Sequence, residues 1–521
     1  MEQKNTMADS LVYSLPDGEN EPNGTLFSKA NLFLNGTGTL QITAQYQDGI
    51  VSKDSLTIAD ANIVIESAGD AIRGKDSVLL YGATVSAVAE DDGIKSNNDK
   101  DEDCGWIYVW NSDVTINAQE DGLQAETDLY LDGGIYNITS GGGCLPEYRQ
   151  ALATPVRKAD QASKASTEAV TEDETNTESC KGLKAKNIQV LSGAFNISSR
   201  DDAIHANGSI TISDGYFELS SNDDGIHADD TFTMNGGEIV ITESYEGIEA
   251  SHLLFADGKT DVNAIDDGWN AAPKAVSEAE SGRRKKKSRD FDITVSGGEH
   301  SILAGADAID SNGSILITGG ITYAASSNEM KEVPIDYPEV CECRMTGGII
   351  IASGGYGKNT QTFHQMENQA CVTLKWKEQQ PSGTEITLLV DDQQVLNFTP
   401  AAAFKSIIVS APTLQVGKTL TVQTNTVQTN SRKISEDIQF FPITQSKKIE
   451  KQTQQTNPSE SSATAETVRN SYGTMTAHPA SGNTLGYWLY TPNNVGNETL
   501  PLIVYLHGGS GKGSDLSLIL V

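Results

Sequence analysis

The chain has 521 residues, with 37 Lys and Arg against 71 Asp and Glu, giving a net charge of −34 and a pI near 4.5. That balance excludes a nucleic-acid binder acting through a basic surface. No run approaches the roughly 18 apolar residues that a spanning helix needs, and six Cys are too few for a disulfide scaffold.

In chain order, the N-terminal MEQKNTMADSLVYSL lacks a basic segment followed by an apolar core, so no signal peptide is read there. From Gln47 a six-residue pattern recurs: QDGIVS, GDAIRG from Gly69, DDGIKS from Asp91, EDGLQA from Glu120 and CKGLKA from Cys180. It continues as DDAIHA from Asp201, DDGIHA from Asp223, YEGIEA from Tyr245, DDGWNA from Asp266 and ADAIDS from Ala306, ten copies in all. Six of the nine gaps are 21 or 22 residues. The gaps of 29, 60 and 40 are read as one repeat plus loop insertions: NNDKDEDCG from Asn97, about 148–179, and about 274–289. All three have the composition of disordered excursions.

Between the copies lie runs such as ITISDGYFEL and FTMNGGEIVI, which alternate with period two and break at Asp-Gly or Gly-Gly. No helical periodicity occurs. The expected fold is therefore all-β, a right-handed parallel β-helix of about ten or more 22-residue rungs. The fourth position of the copies, Ile50 through Ile309, is an apolar column facing inward. The sixth, Ser52 through Ser311, is small and also inward. The fifth varies (Val51, Arg73, Lys95, Gln124, Lys184, His205, His227, Glu249, Asn270, Asp310) and is expected to face out.

The expected organisation is a partial N-terminal segment (1–23), the β-helix (24–355), a small β end module (356–443), a polar linker (444–468) and an α/β-hydrolase start (469–521). Cys144 and Cys180 bracket the long insertion and could form a disulfide if its ends meet. The basic run RRKKK at 283–287 is read as a solvated loop.

The second position of the copies reads Asp48, Asp70, Asp92, Asp121, Lys181, Asp202, Asp224, Glu246, Asp267 and Asp307. Rungs of a parallel sheet lie about 4.8 Å apart, so carboxylate stacks on carboxylate at a repulsion of order 1 kcal/mol per neighbour in water. Two readings follow. A single Asp suits a turn residue that accepts backbone N–H groups. The paired runs, Asp91–Asp92, Asp201–Asp202, Asp223–Asp224 and Asp266–Asp267, suit Ca²⁺, which takes six to eight oxygens at about 2.3–2.6 Å. His205, His227 and Glu249 are candidate ligand-contacting residues on the neighbouring column. For the two histidines, a solvated surface position is the plainer reading.

The copies from QDGIVS to DDGIHA resemble a bacterial carbohydrate-binding parallel β-helix family, over about 24–422. The resemblance implies a polysaccharide-lyase-like fold and Ca²⁺ held by the surface aspartates named above. It also implies attachment to plant cell-wall polysaccharide of the cellulose or polygalacturonate type and export to the cell surface; a monomer with no nucleic-acid partner is expected. Relatives carry a signal peptide and further rungs before this point, and Lys181 interrupts the acidic column here. LPLIVYLHGGSG (500–511) resembles the oxyanion turn of an α/β-hydrolase esterase, with His507, Gly508 and Gly509 as donors. No G-x-S-x-G elbow occurs in the chain, so the expectation is a fragment truncated at both ends and without catalysis of its own. The expected function is a calcium-stabilised, non-catalytic binding module that tethers an esterase. The alternatives are a lyase, with Arg73, Lys95, Lys184 or Arg200 as base, and a structural adhesin.

Overall fold

The computed structural model describes residues 4–11, 15, 18–145, 179–272, 290–327, 333–355, 363, 365–366, 369–424, 427–434, 439–443, 467–469, 473–478 and 487–492. All regular structure among them is β-strand.

Alternating apolar residues cut by Asp-Gly and Gly-Gly turns make three short strands per repeat. In the copy at Asp201 these are Ile204–Ala206, Ile210–Ile212 and Tyr216–Ser221. Each pairs in parallel with its counterpart one repeat later: Ile204 with Ile226, Ile210 with Phe232, Phe217 with Ile239. Three parallel ladders result, the first built on the six-residue motif. Along it Ile50, Ile72, Ile94, Leu123, Leu183, Ile204, Ile226 and Ile248 stack like on like and are fully buried. The small sixth position is buried as well, from Ser52 to Ser311. Each Ile or Leu in that column contributes roughly 1.5–3 kcal/mol of burial.

Register runs straight across the insertions. Lys95 pairs with Gln124, Gln124 with Lys184, and Asn270 with Asp310. The short insertion is not a disordered excursion. Buried Asn98 accepts the N–H groups of Lys100 and Asp101 and donates to Asp76 Oδ1 at 2.7 Å. A local turn with a buried amide at its centre is as ordered as the strands beside it. The two longer insertions lie mostly outside the described residues. The ladder also extends beyond the ten copies: Gly24 pairs with Asp48 before the first, and Ile335 with Ile309 after the last.

The interior carries an aromatic stack. Tyr136, Phe195 and Phe217 lie face to face at 4.4 and 4.5 Å, and Trp269 replaces Ile in the fourth column, stacked on Phe255 at 4.0 Å. At the C-terminal end, Ile349–Gly354 pairs in parallel with Ile321–Ser326 on one side. On its other side it pairs antiparallel with Phe404–Ser410, which pairs in turn with Cys371–Gln380. The last rung therefore shows no open edge there. A second core of Val372, Leu374, Trp376, Ile386, Leu388 and Val422 fills this module.

Residues 448–521 form a separate compact unit. Its described strands, Thr467–Arg469, Gly473–His478 and Tyr487–Pro492, pair antiparallel. His507, Gly508 and Gly509 lie outside the described residues. Cys144 and Cys180 are not joined in a disulfide: Cys144 Sγ contacts the Ser221 carbonyl and Cys180 Sγ that of Gln119. Those carbonyls belong to different repeats, so the two sulfurs are drawn apart.

Ile204→Ala opens a cavity in the first ladder and should cost about 2–5 kcal/mol, whereas Thr211→Ala on the outward face should stay within about 0.5 kcal/mol. Hydrogen exchange should show lost protection concentrated in the repeats flanking residue 204. Uniform loss along the stack would contradict rung-by-rung packing.

Candidate functional site

The second position of the motif lies at the turn entering each first-ladder strand. Its backbone N–H faces the preceding rung, where a carboxylate Oδ1 accepts it. Asp70 N–H donates to Asp48 at 3.1 Å, Asp92 to Asp70 at 3.2 Å, Asp121 to Asp92 at 2.9 Å and Lys181 to Asp121 at 2.8 Å. Further along, Asp224 donates to Asp202 at 3.0 Å, Asp307 to Asp267 at 2.9 Å and Val333 to Asp307 at 2.7 Å. Asp48, Asp70, Asp92, Asp121, Asp202 and Asp224 are consequently buried, Asp92 to 1% exposure, while Asp267 and Asp307 are half-buried. Lys181 supplies no acceptor. Asp202 N–H turns to Asp201 Oδ1 instead, and the Lys181 ammonium pairs with Asp201 at 2.5 Å and Asp202 at 3.1 Å.

The second oxygen of each carboxylate meets the fifth column. That column faces out but is half-buried rather than free in solvent, and Val51 and Asn270 are buried. Its side chains lie over the carboxylates, which is why the simple in-out alternation misjudged their exposure. Arg73 pairs with Asp48, and with Asp70 at 3.3 Å. Lys95 pairs with Asp92 at 2.5 Å and Lys184 with Asp121 at 2.9 Å. Three of the four bases considered for a lyase are thus held in ion pairs with buried aspartates. His205 Nδ1 meets Asp202 at 2.7 Å and His227 Nδ1 meets Asp224 at 2.8 Å, and the two rings stack at 4.9 Å. Burial opposes the charge on His227, but the Asp224 carboxylate overcomes it and holds the ring protonated up to about 9.

After His227 the column turns acidic: Glu249, Asn270, Asp310, Asp336 in register. Among the described residues no Lys or Arg pairs with Glu246, Glu249, Asp267 or Asp310. Burial pushes the Glu246 carboxyl up to about 9, with its hydrogen bond to Glu249 adding to the rise. Burial and then Asp310 raise Asp267 to about 8, and burial and then Asp336 raise Asp310 to about 7. Asn270 donates Nδ2 to Glu246 at 2.7 Å and to Glu249 at 3.0 Å, while its buried Oδ1 has no partner. This end of the column carries carboxyls and an amide but no cationic side chain among the described residues.

The structure brings together three groups with ligand atoms within 4.8 Å: Asp201–Asp202–Asp223, Asp202–His205–His227 and Asp224–His227–Glu249. Asp92 faces Lys95. Asp267 belongs to the acidic end, one copy on from Glu246, and Asp266 neighbours the Tyr245 hydroxyl. An open depression of about 780 Å³ at the glycine turns holds Tyr216, Glu238 and Lys259. Sequence reasoning passed over an aromatic surface. Trp106–Trp110, in the second ladder, turns Ile107 and Val109 inward and Trp106, Tyr108 and Trp110 outward. The alternation WIYVW was the available signal.

A family model described as "Carbohydrate-binding domain-containing protein" matches residues 1–225 and 219–332. A carbohydrate-binding domain-containing protein of Acetivibrio thermocellus is 26% identical over 139 residues, which cover 26% of this chain and 49% of that protein. The chain thus spans about half the length of this curated relative. No solved structure matches.

Each raised carboxyl binds a proton in the folded state that it loses in the unfolded state above its ordinary value near 4. Folding stability therefore falls as pH rises from 5 to 9. His227 acts in the same direction, since its favourable charge is lost as pH rises through about 9. In chelator-containing buffer, the unfolding midpoint should be lower at pH 9 than at pH 5. A flat or rising profile would show that the acidic end is not desolvated as described.

Proposed function

The chain belongs to the family of carbohydrate-binding domain-containing proteins, and from that premise we propose that it is a non-catalytic module that attaches to plant cell-wall polysaccharide. The family match over residues 1–332 carries this reading. The three parallel ladders support the finer assignment of a right-handed parallel β-helix, because parallel crossovers are right-handed in about 98% of cases. The engagement of Arg73, Lys95 and Lys184 with buried carboxylates favours binding over a lyase reaction, which requires a base free to take a proton.

Calcium enters this proposal at the acidic end of the column. The donor set fits a hard cation: carboxylates of Glu246, Glu249, Asp267 and Asp310, with the unpartnered Oδ1 of Asn270 among them. Asp92 and Asp202 already divide their oxygens between a backbone N–H and Lys95 or His205, and Asp224 is engaged by His227. A bound Ca²⁺ would supply the positive charge that Arg73, Lys95 and Lys184 supply earlier in the stack. The hydrolase-like sequence at 500–511 supports a further proposal, that the module tethers an esterase outside the cell or at its surface.

At a Ca²⁺ concentration of about 100 times Kd, the folded state should gain about 2.7 kcal/mol, read as a rise in the unfolding midpoint that EDTA abolishes. Glu246→Gln with Asp310→Asn should remove the response and leave the fold intact. An EDTA-insensitive midpoint in the unaltered chain would refute the calcium assignment. Sedimentation with insoluble cellulose, xylan and cross-linked polygalacturonate tests the binding reading, and failure to co-sediment with any would overturn it.

A further inference from the structure

We propose that the glycan-contacting surface is the aromatic face of the second ladder around Trp106, Tyr108 and Trp110, and that it takes a neutral polysaccharide. This rests on the carbohydrate-binding reading and locates it on the molecule.

The strand Trp106–Trp110 lies between Ser77–Tyr81 and Asp128–Ser140. Register sets Tyr108 between Leu79 and Tyr130, and Trp110 between Tyr81 and Asp132. Tyr81 and Trp110 pack edge to face at 4.4 Å and are 40% and 43% exposed. Tyr108 and Tyr130 meet edge-on at 6.1 Å. Further along, the same outward columns become Gln189, Thr211 and Ser192, so the aromatic surface is confined to three rungs. A contiguous cluster of outward, part-exposed aromatics is the kind of surface patch that marks an interaction site.

Charge selects the partner. Asp128 and Asp132 flank the rings on the neighbouring strand, on a chain of net charge −34. A polyuronate would bring a carboxylate per sugar against them. A neutral pyranose brings C–H faces to the rings and hydroxyl donors to the carboxylates, the amphipathic match that Trp and Tyr suit. The surface contains no residue of the acidic column, so loss of one leaves the other testable.

The test compares the full chain with Tyr81→Ala/Trp110→Ala, a change of exposed residues. Binding is read by co-sedimentation with insoluble cellulose and by tryptophan fluorescence on titration with cellohexaose, alongside unfolding midpoints. The proposal expects at least a tenfold loss of cellulose binding at an unchanged midpoint, with fluorescence changes from Trp106 and Trp110 in the unaltered chain. Equal cellulose binding by both proteins would overturn the site while the binding function stands. Binding of the unaltered chain to polygalacturonate but not cellulose would overturn the neutral ligand. A dimer that the double variant converts to monomer would assign the face to a second copy and overturn the proposal. Binding to no polysaccharide would remove the proposal and the function together.

Discussion

One backbone N–H per rung governs this fold. At the turn entering most first-ladder strands, the amide at the second motif position points at the neighbouring rung and is met there by a side chain rather than a carbonyl. An aspartate at the same position one rung back accepts it. Because the donor and acceptor occupy equivalent sites, Asp70, Asp92, Asp121 and Asp307 each give this bond and take it, and the requirement propagates from rung to rung. The exception shows the rule. Where Lys181 removes an acceptor, Asp202 takes Asp201 instead, and the lysine charge holds both carboxylates.

The bond fixes a buried anion in nearly every rung, and the neighbouring column has to answer that charge. It does so in three chemical styles from the N-terminal end onward: fixed cations at Arg73, Lys95 and Lys184, titratable rings at His205 and His227, then carboxyls at Glu249 and Asp310. The first style is self-contained, since each carboxylate has its own amide donor and a cation beside it, Arg73 serving both Asp48 and Asp70. The last is incomplete on protein atoms alone, as the unpartnered Asn270 oxygen and the raised Glu246, Asp267 and Asp310 carboxyls record. A uniform ladder is thus structurally regular and electrostatically graded.

Much of this was legible in the sequence. The six-residue motif sets the register, and the Ile and Ala columns set which face is buried, because period-two alternation has a direct steric meaning. The turn-capping role of a single Asp was readable from its chemistry. The pairing of that Asp with the residue three positions on was not, since alternation gives a direction but not what lies above it. The rungs at Gly24 and Ile335 fall inside the expected β-helix of 24–355 although neither carries the motif letters, because pairing needs the alternation and not the motif. The aromatic face was the part that escaped. Its residues crowd one strand, Trp106–Trp110, whereas the repeat invites comparison down columns. Cys144 and Cys180 looked like neighbours because the chain leaves and returns between them, but each thiol is committed to a carbonyl of a different repeat, Ser221 for Cys144 and Gln119 for Cys180.

The register that closes over an interruption has a consequence for how such a chain can change. Gln124 meets Lys184 with the same parallel register that joins Lys184 to His205, 21 residues on. The stack therefore reads only what sits on its faces and is indifferent to the length of chain between 145 and 179. That corner is a natural splice point: a foreign peptide, a reporter or a second binding segment placed there changes the contour of the polypeptide without disturbing the order of the layers. Genes for such stacks can grow by accretion at corners, acquiring new modules while every existing layer keeps its partner.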